Sequence, residues 1–139
     1  MPKTFEKDFI SYCNNQELEV NPNQIAVIKK LEQYYQSNFK SFFSKLFSKQ
    51  NSKKGFYLFG GVGVGKTMIL NFFIDQIDQK KLRQHFNEFM LSFHDFAHER
   101  KGKNEENVIN QFVKNLKLKA SLIYFDEFQV TNIVDAMIL

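Results

Sequence analysis

The octapeptide Gly60-Gly61-Val62-Gly63-Val64-Gly65-Lys66-Thr67 constrains this chain more than any other feature. It fits G-x-x-x-x-G-K-[ST], a pattern that works as the turn between a strand and a helix. The flanks suit that context: Gly55 to Phe59 reads as a short apolar strand, and Lys66 to about Ile77 as a helix. Glycines let the backbone curl until successive amide N–H groups point inward at phosphate oxygens. The start of the following helix adds the positive end of its dipole. Lys66 is placed to neutralise the β and γ phosphates, and Thr67 to offer its hydroxyl to Mg²⁺. Gly60, Gly61, Val62, Gly63, Val64, Gly65, Lys66 and Thr67 are therefore the candidate phosphate-binding residues.

A second motif lies further along. Leu122-Ile123-Tyr124-Phe125-Asp126-Glu127 is an apolar strand ending in two carboxylates, the form of a Walker B element. Alone, such a pair is usually a solvated turn; after a phosphate loop it takes on a chemical role. Asp126, at the carboxyl end of a parallel strand, would hold Mg²⁺ as the acidic partner of Thr67. Glu127 would orient or deprotonate the attacking water, which makes it, with Lys66, the candidate catalytic residue. A water-activating carboxylate favours hydrolysis over transfer to another acceptor, so a nucleoside kinase fits less well.

The rest of the chain alternates as α/β proteins do. Leu82 to Asn87 reads as a second strand, Met90 to Glu99 and Glu105 to Leu116 as helices about a polar turn, and Ala120 to Phe125 as a third strand. This last strand is apolar on both faces, as in a buried parallel sheet. Thr131 to Leu139 starts a helix with no stop signal after it, so the chain reads as cut. Upstream, Asn21-Pro22-Asn23-Gln24 is a turn opening a helix, with Ile25, Ile28, Leu31 and Tyr35 at helical spacing. Phe39, Phe42, Phe43, Leu46 and Phe47 form another helical stripe with Lys40, Lys45 and Lys49 between them. A basic aromatic helix can lie on an anionic membrane or dock a partner, but a stripe at core spacing is more often core. With Lys49 to Lys54 as a polar connector, the expected organisation is a helical segment over 1–52 and a P-loop core over 53–139.

Composition narrows the class. At 139 residues, 43% hydrophobic and 24% charged, the chain suits one globular core rather than a disordered or fibrous polymer. No run is long enough to span a membrane, and the N-terminal residues carry neither an apolar signal core nor a transit pattern, so a cytoplasmic location is expected. The lone Cys13 excludes an internal disulfide framework, and with no partner base in its polar terminal stretch it makes a poor nucleophile. The net charge is +4, and seven lysines stand against Glu32 alone between Lys29 and Lys54. That permits an anionic partner without requiring one. His94 and His98 have the i, i+4 spacing of metal ligands, but no third ligand accompanies them, so they read as surface or packing residues.

Three stretches resemble the ZapE family, bacterial cell-division ATPases with mitochondrial Afg-type relatives on the AAA+ branch. They are Lys54 to Gly63, His85 to Met90, and above all Phe125-Asp126-Glu127-Phe128-Gln129-Val130-Thr131-Asn132-Ile133-Val134-Asp135-Ala136-Met137-Ile138-Leu139. The resemblance runs from about Pro22 onward and is weak before it. It implies an AAA+-type P-loop fold: a parallel sheet flanked by helices, incomplete at its C-terminus, behind an N-terminal helical segment. It implies Mg²⁺-dependent ATP hydrolysis coupled to remodelling, an oligomer at full length, and association with the division-ring protein FtsZ. Phosphate binding falls on Gly60 to Thr67, Mg²⁺ and water activation on Asp126 and Glu127, and the adenine side on Gln24 in its Pro-x-Gln step. Val64, Asn71 and Asn87 depart from the family's usual arginine, aspartate and histidine, and none of these changes removes a phosphate ligand. In the family a sensor strand sits between the loop strand and the Walker B strand and comes later in the chain. The expectation is thus a truncated, poorly stable core. Two other readings remain: a helicase-loader-like protein holding single-stranded nucleic acid on its lysines and phenylalanines, and a nucleotide-binding or scaffold fragment without turnover.

Overall fold

Aromatic side chains organise the first of two units in the computed structural model, which describes residues 4–39, 53–102 and 104–138. This unit runs to Asp78 and holds helices α1 (Phe5–Asn15), α2 (Pro22–Asn38) and α3 (Lys66–Asp75). In α1, Phe5, Phe9 and Cys13 recur every fourth residue and are buried on one face. Phe5 stacks on Tyr35 of α2, with ring centroids 5.8 Å apart, and Phe9 meets Phe72 of α3 edge-on at 5.0 Å. Ile28 and Leu31 of α2 and Ile69 and Phe73 of α3 are buried as well. Each such side chain contributes about 1.5–3 kcal/mol on burial.

The stretch around Cys13 therefore differs from its polar appearance. It is an amphipathic helix, and burial pushes the Cys13 thiol up in pKa, keeping it protonated and unreactive. Helix α2 begins where the turn sequence says it should. The Asn21 side chain accepts from the Asn23 N–H at 2.8 Å, with Pro22 in the first turn. At its other end, Asn38 Nδ2 donates to the Lys53 carbonyl (3.0 Å) and the Tyr34 hydroxyl to the Lys54 carbonyl (3.2 Å). These bonds anchor the chain that leads into the glycine loop. Most of the Phe39 to Phe47 stripe and the connector up to Ser52 lie outside the described residues.

Gly55 to Phe59 does not form the expected strand. A strand needs a neighbour to take its N–H and C=O groups, and the sheet of the described residues is made by two other segments. Tyr57 and Phe59 stay in water, 66% and 78% exposed.

The second unit, from Gln79 onward, is built on a parallel pair, β1 (Lys81–His85) and β2 (Leu122–Asp126). The register sets Lys81 beside Leu122 and His85 beside Asp126. Parallel strands need a crossover, supplied here by α4 (Phe86–His98) and α5 (Glu105–Lys119). A short α6 (Ile133–Ile138) follows β2. The expected strand Leu82–Asn87 is thus shorter. Phe86, Met90 and Phe93 are buried at i, i+4 and i+7, a helical face that takes Phe86 and Asn87 into α4. Those three pack with Phe112 of α5, and Phe89, Leu116, Phe125 and Ile138 close over them. Helix α5 is capped by Asn104, whose side chain accepts from the Glu106 N–H at 3.0 Å, with acids in its first turn and lysines in its last.

The architecture is thus mixed, helical with a small parallel sheet. No helix among the described residues is long and apolar enough to cross a membrane.

Candidate phosphate loop and carboxylate pair

The glycine loop opens α3 directly, and its backbone explains the glycines. Gly63 and Gly65 sit at φ +79° and +85°, left-handed values that a residue with a Cβ adopts only at a cost of roughly 1–2 kcal/mol. Gly65 caps α3, its carbonyl accepting from the Ile69 N–H at 3.0 Å. Lys66 reaches back over the loop, and its ammonium donates to the carbonyls of Gly60 (2.8 Å) and Gly61 (2.5 Å). The loop thereby closes on its own cation. Thr67 is exposed in the first turn of α3, and Val62 and Val64 are exposed too.

Gln24, in the first turn of α2, meets this loop: its Nε2 donates to the Val64 carbonyl at 3.1 Å. A Cβ on Gly65 would lie 2.6 Å from that nitrogen. Gly65→Ala therefore brings both backbone strain and a clash. We expect it to lower the unfolding free energy by about 1–2 kcal/mol in a urea titration and to weaken phosphate-ligand binding; a variant as stable as the parent would contradict the assigned backbone.

The carboxylate pair belongs to the second unit. Asp126 ends β2 with Oδ2 2.6 Å from Arg83 Nε on β1. In this register Arg83 faces Tyr124, two residues before Asp126 on the same side of the sheet, so the contact is diagonal. The Arg83 guanidinium also lies over the Tyr124 ring, 5.4 Å from its centroid. The hydrogen bond to Asp126 raises the Arg83 pKa, so Arg83 is charged at any working pH. Glu127 follows at φ 51°, left-handed and exposed. A non-glycine residue is rare there and persists only where its surroundings enforce it.

His94, read from sequence as a surface or packing residue, has a partner: its Nε2 lies 2.8 Å from Asp135 Oδ1, linking α4 to α6. The structure thus brings Gln24 to the loop and Arg83 to Asp126. The Arg83 contact was not anticipated; the available signal was an arginine on the strand that pairs with the acidic one. The donors fit the ligands implied for them. A loop of left-handed glycines with a cation over it suits phosphate, and a threonine hydroxyl and an aspartate are hard oxygen donors of the type Mg²⁺ takes.

Comparison with known proteins follows the same lines. The model of the family described as AFG1-like ATPase matches residues 7–139, so the likeness begins well ahead of Pro22. The zebrafish (Danio rerio) Lactation elevated protein 1 homolog B is 37% identical over 102 residues, 66% of this chain and 20% of that protein. Cell division protein ZapE of Escherichia coli K12 is 35% identical over 95 residues, 66% of this chain and 24% of its own length. An uncharacterised protein of Schizosaccharomyces pombe is 32% identical over 91 residues, 62% of this chain and 20% of that one. The matched stretch thus spans between 20% and 24% of the length of these relatives. No solved structure matches.

Proposed function

The chain belongs to the AFG1-like ATPase family, and from that premise we propose that it binds ATP with Mg²⁺ and hydrolyses it within a remodelling machine. The observation that carries this reading is the loop: two left-handed glycines, a lysine resting on loop carbonyls, and a helix opening behind it. Lys66 exchanges the carbonyls of Gly60 and Gly61 for the β and γ phosphates, a stronger charge-assisted contact. The N–H groups of Gly60 to Gly65 and the first turn of α3 receive the remaining phosphate charge. Thr67 and Asp126 hold Mg²⁺, which supplies neutralisation of the phosphate oxygens as charge shifts during transfer. Glu127 orients the attacking water and takes its proton, and Gln24 lies on the adenine side.

In this reading residues 53–139 carry the ATPase core behind a helical segment at 1–52. One relative is named as a cell division protein. The finer proposal is that the full-length protein works in the cytoplasm as an oligomer on division proteins such as FtsZ.

The test is phosphate release and ATP binding by the purified chain, with Mg²⁺ and with EDTA. Release that requires Mg²⁺ is the expected result. Binding without release would keep the nucleotide site and remove the hydrolysis. A folded chain that binds no ATP at millimolar concentration would overturn the reading.

A further inference from the structure

Gln24 does more than stand beside a nucleotide. Its amide has two ends with different chemistry, and the Val64 carbonyl, 3.1 Å away, can only accept. That fixes Nε2 toward the loop and leaves Oε1 on the other side, buried and without a hydrogen-bond partner. The Val64–Gly65 peptide is trans and planar. Its carbonyl and the following N–H therefore point in opposite directions, and a bond that fixes one aims the other. The Gly65 N–H meets no acceptor among the described residues. Gly65 is also the residue whose missing Cβ makes room for the Gln24 amide.

We infer that Gln24 is a positioning residue of the phosphate loop: by holding the Val64 carbonyl it turns the Gly65 N–H toward the bound phosphates. The inference rests on the phosphate-loop reading above and changes what Gln24 does within it, from reading the base to shaping the loop. The free rotation of the Val64–Gly65 peptide is removed before any ligand arrives, so the donor is presented in advance.

The two roles separate on a ligand with no base. Inorganic tripolyphosphate and ATP are titrated by calorimetry into the wild-type chain, Gln24→Met and Gln24→Glu, with thermal melts to show that each variant is folded. Methionine keeps the length and loses the donor; glutamate keeps the shape and sets an acceptor against the Val64 carbonyl. The expected result is a loss of about five- to tenfold in Gln24→Met, the worth of one hydrogen bond, equal for ATP and tripolyphosphate, with a loss at least as large in Gln24→Glu. Weaker ATP binding with unchanged tripolyphosphate binding would make Gln24 a base contact and overturn the inference. So would unchanged affinity for both, or a wild-type chain that binds ATP but not tripolyphosphate. Lys66→Ala is run alongside: ATP binding indifferent to that change would overturn the phosphate-loop reading itself, whereas Lys66-dependent binding indifferent to Gln24 overturns only the positioning role.

Discussion

Glu127→Gln leaves ATP bound and lowers turnover by about 10²–10⁴-fold, the usual worth of a positioned general base. Glutamine keeps the size and hydrogen-bonding shape of the side chain but cannot take a proton from water at any working pH. Glu127 follows the last residue of β2, exposed and at φ 51°, so the exchange disturbs neither a core contact nor an ion pair among the described residues. Stability should therefore stay near that of the parent, and the whole effect should appear in the chemical step. Single-turnover phosphate release with saturating ATP, beside a binding titration, separates the two. Turnover within threefold of the parent would remove Glu127 from catalysis.

Lys66→Ala acts earlier, at binding. Its ammonium makes the strongest contacts the loop offers, and charged hydrogen bonds are worth about 1.5–3 kcal/mol, so ATP affinity should fall by one to two orders of magnitude. The loop itself loses something as well. Lys66 joins the carbonyls of Gly60 and Gly61, and alanine gives up both hydrogen bonds. Lys66→Arg should not restore binding, because a planar guanidinium is bulkier and presents its donors as a fixed fork. Calorimetric titration with ATP is the measurement; an affinity within twofold of the parent would mean that the phosphates are held elsewhere.

Much of the loop was legible because its demands are local. A left-handed turn needs glycine, a helix start needs a cap, and both can be read within a few residues, as at Gly65 and Asn21. Pairing is not local. Gly55 to Phe59 has the composition of a strand, yet ladder partners are set by the rest of the fold, and the sheet of the described residues is made by two other segments. Arg83 and Asp126 are 43 positions apart and meet only because the register of two parallel strands places them diagonally. Phe86 looked like the end of a strand when judged by its neighbours. Its spacing to Met90 and Phe93 decides for the helix. Helix α1 was expected only as part of a helical segment over 1–52 and not singled out, because Phe5, Phe9 and Cys13 carry a clear four-residue spacing that the polar residues around them obscure.

The left-handed backbone at Glu127 sets two kinds of selection against each other. A library screened for heat resistance alone would favour glycine there, since the strain it relieves is roughly 1–2 kcal/mol. Each such winner would have discarded the proposed base. Stability and turnover are thus opposed at this one position, and a thermostable descendant of this chain would keep Glu127 only if the screen demanded activity at every round.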